Sequence, residues 1–212
     1  MRLKATMVLA AAVLAFVALP ASADLSAYSQ DFEGMVQADP NALANDGWLI
    51  FGNVFNLDWS YWYGYGVFPA PNNPLAPGFC LVAAGEGGPS QGAQQLVVFS
   101  DYNNTDHPNG YIEANVFQEQ VIGAADVGNT WVFTFDAKLG DIGGGTTALA
   151  FIKTLDPNAG YAQTNFITED TTSIPVTWST YSLIIPIDAG LIGQILQIGF
   201  SSTATNYEPS GI

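Results

Sequence analysis

Apolar and polar residues alternate with a period of two through residues 131–138. Trp131, Phe133, Phe135 and Ala137 fall on one side, and Thr134, Asp136 and Lys138 on the other. That period marks a strand with one face on a core and the other in water. A looser version runs through 178–187, where Tyr181, Leu183 and Ile185 share a side. Most of the remaining chain divides into short runs rich in β-branched and aromatic residues, separated by Gly, Pro, Asn and Asp. They predict strands over 28–33, 48–55, 59–67, 78–83, 94–100, 111–121, 130–138, 147–154, 163–168, 178–187 and 194–201. Only one stretch carries helix punctuation. Asp39 can cap it, Pro40 suits its first position, 41–46 supply a turn or two, and Gly47 ends it. A second short turn is expected at 188–193. The pattern is that of an all-β sandwich or barrel. No internal repeat and no linker divides the chain, so 24–212 reads as one domain.

Residues 1–23 break the strand pattern. Arg2 and Lys4 precede an apolar stretch from Met7 to Leu19, Pro20 interrupts it, and Ala21-Ser22-Ala23 follows. Those are the three regions of a secretory signal with a small-residue cleavage site. The apolar stretch is too short for the ~20 residues a membrane-spanning helix needs. The expectation is export, to the periplasm or the extracellular space, without a membrane span. No Cys closely follows the apolar stretch, which argues against a lipid anchor.

Charge sharpens this picture. The chain carries 19 Asp and Glu against four Lys and Arg, a formal −15. Loss of 1–23 would leave Lys138 and Lys153 alone against all 19 acids, a net −17. Such a surface repels nucleic acid and other polyanions, because phosphate contacts need Lys and Arg. It suits divalent cations, or simply a salty exterior. One His and one Cys cannot build a His/Cys zinc cage, and a Ser-His-Asp triad would have to use His107. Cys80, alone in the apolar run Gly78-Phe79-Cys80-Leu81-Val82, reads as a buried structural thiol. The fold must then be held by its core rather than by disulfides.

Three segments carry a resemblance. Asp31-Phe32-Glu33-Gly34 is followed by Gly47-Trp48. Val116-Phe117-Gln118-Glu119-Gln120 is followed by the hairpin from Val127 to Lys138. Val176-Thr177-Trp178-Ser179-Thr180-Tyr181-Ser182 comes last. Together they resemble the jelly-roll carbohydrate-binding modules attached to xylanases and glucanases. The resemblance implies a jelly-roll β-sandwich of two antiparallel sheets with one short helix. It implies non-catalytic binding of a neutral glycan. It also implies a structural calcium held by Glu33, with Asp31 beside it. Modules of this kind usually end in a further Asp-rich strand, which would lie beyond Ile212. The segment 206–212 reads as a turn into a strand that never arrives, so the chain is expected to be a fragment or one strand short.

The densest candidate chemistry is the run 59–68, with six aromatic residues. In a regular strand Trp59, Tyr61, Tyr63 and Tyr65 would share one face, above Gly64 and Gly66 on the other. Flat rings bordered by hydroxyls suit the apolar faces of sugars. The same rings could instead fill the core. Strand 111–121 puts Tyr111, Glu113 and Asn115 opposite the apolar Ile112, Ala114 and Val116. They would floor a ligand cleft or form an ordinary solvated face. The run Asp101-Tyr102-Asn103-Asn104-Thr105-Asp106 spaces oxygen donors but lacks the acidic residue that closes an EF-hand loop, and tight turns use the same residues. Glycan hydrolysis needs two carboxylates ~5–9.5 Å apart. Glu113 and Glu119, on one strand, would be ~20 Å apart. Gly143-Gly144-Gly145 lacks the Lys of a phosphate loop. A binding domain is therefore the expectation. A structural or adhesive surface protein is the alternative, and a glycan-cleaving enzyme comes last.

Overall fold

The computed structural model describes residues 25–72, 78–85 and 91–211. The expected export signal lies outside the described residues. Ten strands and one short helix follow in order: α1 (Ala42–Asn45), β1 (Leu49–Asn56), β2 (Tyr61–Pro69), β3 (Cys80–Ala84), β4 (Gln94–Val98), β5 (Gly110–Val121), β6 (Thr130–Ala137), β7 (Thr147–Asp156), β8 (Ala162–Asp170), β9 (Ser179–Pro186) and β10 (Ile195–Ala204). The helix begins two residues later than expected: Asn41 rather than Asp39 precedes its first residue, while Asp39 accepts from the Asn41 N–H at 2.9 Å in the turn before it. Gly47, at φ +88°, follows its end.

One layer is a six-stranded antiparallel sheet in the order β2-β1-β5-β10-β7-β8. Its inner face carries Ile50 and Val54 of β1, Ile112, Ala114 and Val116 of β5, and Ala150 and Ile152 of β7, all buried. The second layer covers that face in two parts. β6 and β9 bring Phe135, Leu183 and Ile185 onto one half. β3 and β4 bring Cys80, Val82 and Val98 onto the other. Phe200 of β10 packs against both groups. Each fully buried Ile, Val or Phe contributes about 1.5–3 kcal/mol, so these two faces hold the fold. The chain passes repeatedly between layers, as in a jelly roll. Cys80 is buried, its thiol donating to the Pro71 carbonyl, and burial pushes its pKa up.

The second layer of the sandwich consists of two separate two-stranded ladders. Residues 209–211 run antiparallel beside 141–143, outside both ladders. Gly143 N–H donates to Pro209 O and Gly211 N–H to Asp141 O, but Pro209 has no N–H, and the Ser100 N–H goes to the Ser210 hydroxyl rather than to a main-chain oxygen. Ser210 is buried and paired with Ile142. One expectation needs correction: 28–33 is no strand. Gln30 Oε1 accepts from Phe32 N–H and Asp31 Oδ1 from Glu33 N–H, while Phe32 sits at φ +64°. Side chains that bond their own backbone replace the strand ladder with a turn.

Candidate functional site

The outer face of the six-stranded sheet is set by register. Phe51, Asn53 and Phe55 of β1 lie opposite Asn115, Glu113 and Tyr111 of β5. Asn115 in turn faces Ser201 of β10, and Ser201 faces Leu149 of β7. One row along, Gly199 stands between Phe117 and Phe151, and in the next row Gln197 stands between Glu119 and Lys153. Gly199 permits the close strand packing there, since a Cβ would meet the Val116 carbonyl at 2.2 Å.

At one corner of this face the turn 56–60 presents an indole. Trp59 N–H donates to Asn56 O and Asn56 N–H to Ser60 O. Asp58 Oδ1 accepts from both the Ser60 N–H and its hydroxyl, which lowers the Asp58 pKa. These bonds hold Trp59 at φ +66°, a region that costs a bulky residue ~1–3 kcal/mol. Its ring stacks on Tyr111 with centroids 3.9 Å apart, yet 54% of the residue is exposed. Phe55 packs against both Trp59 and Tyr61 at 5.9 Å. Gly64 keeps this corner open, because a Cβ there would touch the Tyr61 hydroxyl and the Phe51 ring.

A line of polar groups leads away from the rings. Glu113 Oε1 accepts from Asn53 Nδ2 at 2.8 Å and from Asn115 Nδ2 at 2.7 Å. Asn115 Oδ1 accepts from Lys153 Nζ at 2.6 Å. That ammonium also lies 4.1 Å from the Phe151 ring centre and 5.0 Å from that of Phe166. Burial lowers the Lys153 pKa, and Glu113 opposes the shift. The result is a row of fixed amides and one carboxylate between two aromatic groups, in which Asn115 and Lys153 are themselves buried. The exposed rings can stack on a ligand ring, and the half-buried Asn53 and Glu113 beside them can exchange directional hydrogen bonds with hydroxyls.

The structure brings Trp59, Tyr61, Tyr111, Glu113 and Asn115 together on this face. It does not bring Tyr63 and Tyr65 there. A bulge between Val54 and Phe55 puts Tyr61 opposite Phe55 but Tyr63 opposite Val54, so the tyrosines part to opposite faces. Tyr63 donates to Asp106 at 2.5 Å and Tyr65 to Asp101 at 2.8 Å, and Asn104 Nδ2 donates to both hydroxyls. Burial raises both pKa values. The Asp101–Asp106 loop is thus a clasp for two phenols.

Sequence reasoning missed Asn53 and Lys153. The signals were there: Asn53 alternates with Ile50 and Val54 in the wrong phase for the core, and Lys153 stands alone in an apolar strand. Asp31 and Glu33 lie on the other layer, beside β4, where Glu33 Oε1 accepts from Gln94 N–H at 2.7 Å. Among the described residues no three His, Cys, Asp or Glu converge as a metal site. His107 comes near Ser100, but the Ser100 hydroxyl is fully buried and donates to Ile112 O. A cavity of about 140 Å³ lies on the inner side, between residues 25–28 and β6, remote from the outer face. Among the described residues no helix is long and apolar enough to cross a membrane.

No family model and no curated protein matches the sequence. Among solved structures the chain is similar to the enzymatically active domain of tailspike protein 4 of bacteriophage CBA120, at 15% identity and TM-score 0.42, over 62% of this chain and 16% of that one. It is also similar to the CBM22-1–GH10 modules of Clostridium thermocellum xylanase 10B, solved with xylohexaose, at 13% identity and TM-score 0.38, over 78% and 25%. A CBM4 structure overlaps at 14% identity and TM-score 0.31, over 55% and 70%. The chain thus spans a quarter or less of the first two proteins.

Proposed function

We propose that the outer face of the six-stranded sheet binds a neutral glycan without cleaving it, and that the protein does so after export. The observation that carries this reading is Trp59. An exposed indole is held in a costly backbone conformation, stacked on Tyr111, at the rim of a polar floor built from Asn53, Glu113, Asn115 and Lys153. Strain of this kind collects at ligand sites. Glu113 is held by two amide donors, as suits an acceptor of fixed orientation. Glu119 is bonded to Gln197 and lies six residues along the same strand, too far for paired carboxylate chemistry. The acidic surface disfavours anionic polymers.

Titration of the purified protein against a panel of neutral polysaccharides tests this. Trp59→Ala abolishes binding to the panel member that the wild type binds, and Tyr63→Ala leaves the affinity intact. Equal binding by Trp59→Ala, or no ligand in the panel, sinks the reading.

One observation favours a second reading, a structural or adhesive role. β2 is the edge strand, carries no charge, and exposes Trp62, Val67 and Phe68. Uncharged apolar edges invite pairing with another chain. Self-association measured by sedimentation, lost in Val67→Lys, together with no glycan affinity, would favour it.

A further inference from the structure

The resemblance implies a calcium at Glu33, and the chemistry of the turn does not fit one. Three main-chain oxygens of the turn, Phe32 O, Glu33 O and Met35 O, converge on a single atom, Gln94 Nε2, at 3.1, 3.0 and 2.9 Å. The Glu33 carboxylate is engaged as well, by the Gln94 N–H at 2.7 Å. Gly92 makes room for it, since a Cβ there would fall 2.2 Å from Glu33 Oε1. Oxygens arranged around one centre are what a hard cation asks for. Here the centre is a carboxamide nitrogen with two hydrogens. The amide orientation follows from the network, because the reverse would set Gln94 Oε1 against three carbonyls.

We propose that the Gln94 carboxamide takes the place of the cation. It ties the opening turn to β4, so that closure of this turn is independent of calcium. A neutral amide also suits the position electrostatically. It satisfies the carbonyls with N–H dipoles and needs no ion from outside, and the folded state of this turn does not vary with metal supply. Left without the amide, Phe32 O would keep only the Met35 N–H, and Glu33 O and Met35 O would lose their donor.

Thermal unfolding of the purified protein in EDTA, in calcium chloride and in magnesium chloride at equal ionic strength tests this, with Gln94→Ala and Glu33→Gln alongside. The wild type should melt at the same temperature in calcium and magnesium. Gln94→Ala should melt roughly 3–6 °C lower in EDTA. A calcium-specific rise in the wild type that Glu33→Gln abolishes would overturn the proposal, as would a Gln94→Ala variant as stable as the wild type. A calcium rise that survives Glu33→Gln would place the ion elsewhere and leave this turn closed by its amide. Should Gln94→Ala fail to fold, the comparison of calcium with magnesium in the wild type and in Glu33→Gln still decides. None of these readings depends on glycan binding.

Discussion

Trp59 and Tyr65 lie six positions apart in one aromatic run and have opposite fates. Trp59 sits in a strained turn, stacked on one ring and open to solvent. Tyr65 lies within β2, its ring laid over Gly52 and its hydroxyl given to Asp101. The same ring chemistry is left open to solvent in one place, where we propose recognition, and serves closure in the other. What separates them is a single bulge, which turns the strand over between Tyr61 and Tyr63. Ring type alone therefore does not mark a binding platform. The partner of the ring does: a second ring beneath Trp59, a carboxylate at the tip of Tyr65.

The hardest blow to the closed half is at Gly52. A Cβ there would lie 2.3 Å from the Tyr65 ring, so Gly52→Val must expel the phenol or bend β1. Overpacking of this kind costs about 3 kcal/mol, and the melting temperature should drop by roughly 6–12 °C. A drop below 2 °C would mean that Tyr65 is free to leave, and the contrast with Trp59 would collapse. The matching blow to the open half is Trp59→Gly. Glycine adopts φ +66° without strain, which offsets the lost stacking on Tyr111. The melting temperature should then stay within about 2 °C while the affinity for the bound glycan falls at least tenfold, or ~1.4 kcal/mol. Loss of both together would make Trp59 a structural residue.

Most of the architecture can be read in the sequence, because strand periodicity is local. The inward set packs as its alternation demands: Phe133 and Phe135 on Phe200, Phe135 also on Tyr181, and Trp131 against the same core cluster. Alternation also put Tyr111, Glu113 and Asn115 on one face correctly. It failed at Tyr63 and Tyr65 because a bulge is decided by the partner strand and leaves no mark in the periodicity. The phenols are then claimed by Asp106 and Asp101, 43 and 36 residues further along. Residues 28–33 failed for a related reason. Phe32 takes a left-handed conformation that Gln94, 62 residues away, helps to hold. Lys153 was passed over because nothing local says that a lysine in an apolar strand will reach across to Asn115.

A finer cut through the closed half is Tyr65→Phe. It keeps the ring over Gly52 and removes the hydroxyl with its bond to Asp101 and its weaker one from Asn104; the Asp101 carboxylate retains the Asn103 N–H and Asn104 Nδ2 retains the Tyr63 hydroxyl. A hydrogen bond of this kind is worth about 1 kcal/mol net, so the melting temperature should fall by roughly 2–4 °C with glycan affinity unchanged. A loss of affinity would show that the clasp positions the outer face after all.

The smallest effect is the dependence of that clasp on acid. His107 follows Asp106 directly and is buried beside Tyr102 and Tyr207. Burial lowers its pKa below 6.5, against the pull of backbone contacts to Thr205 and Asp101 and of the charges on Asp101 and Glu208. Above about pH 6.5 the imidazole is neutral in both the folded and the unfolded chain, and stability does not depend on it. As the pH falls through that value, the unfolded chain binds the proton first, so stability is lost until the folded His107 also titrates. Urea midpoints at pH 7.5, 6.0 and 5.0 should fall in that order, and His107→Gln should flatten the part of the slope that begins near 6.5. Trp59 and Tyr111 do not touch this loop, so glycan affinity should hold across the range in which the protein stays folded. An affinity that falls in step with the urea midpoint would mean that the open corner depends on the clasp, and that the two halves of the aromatic run answer to one titration.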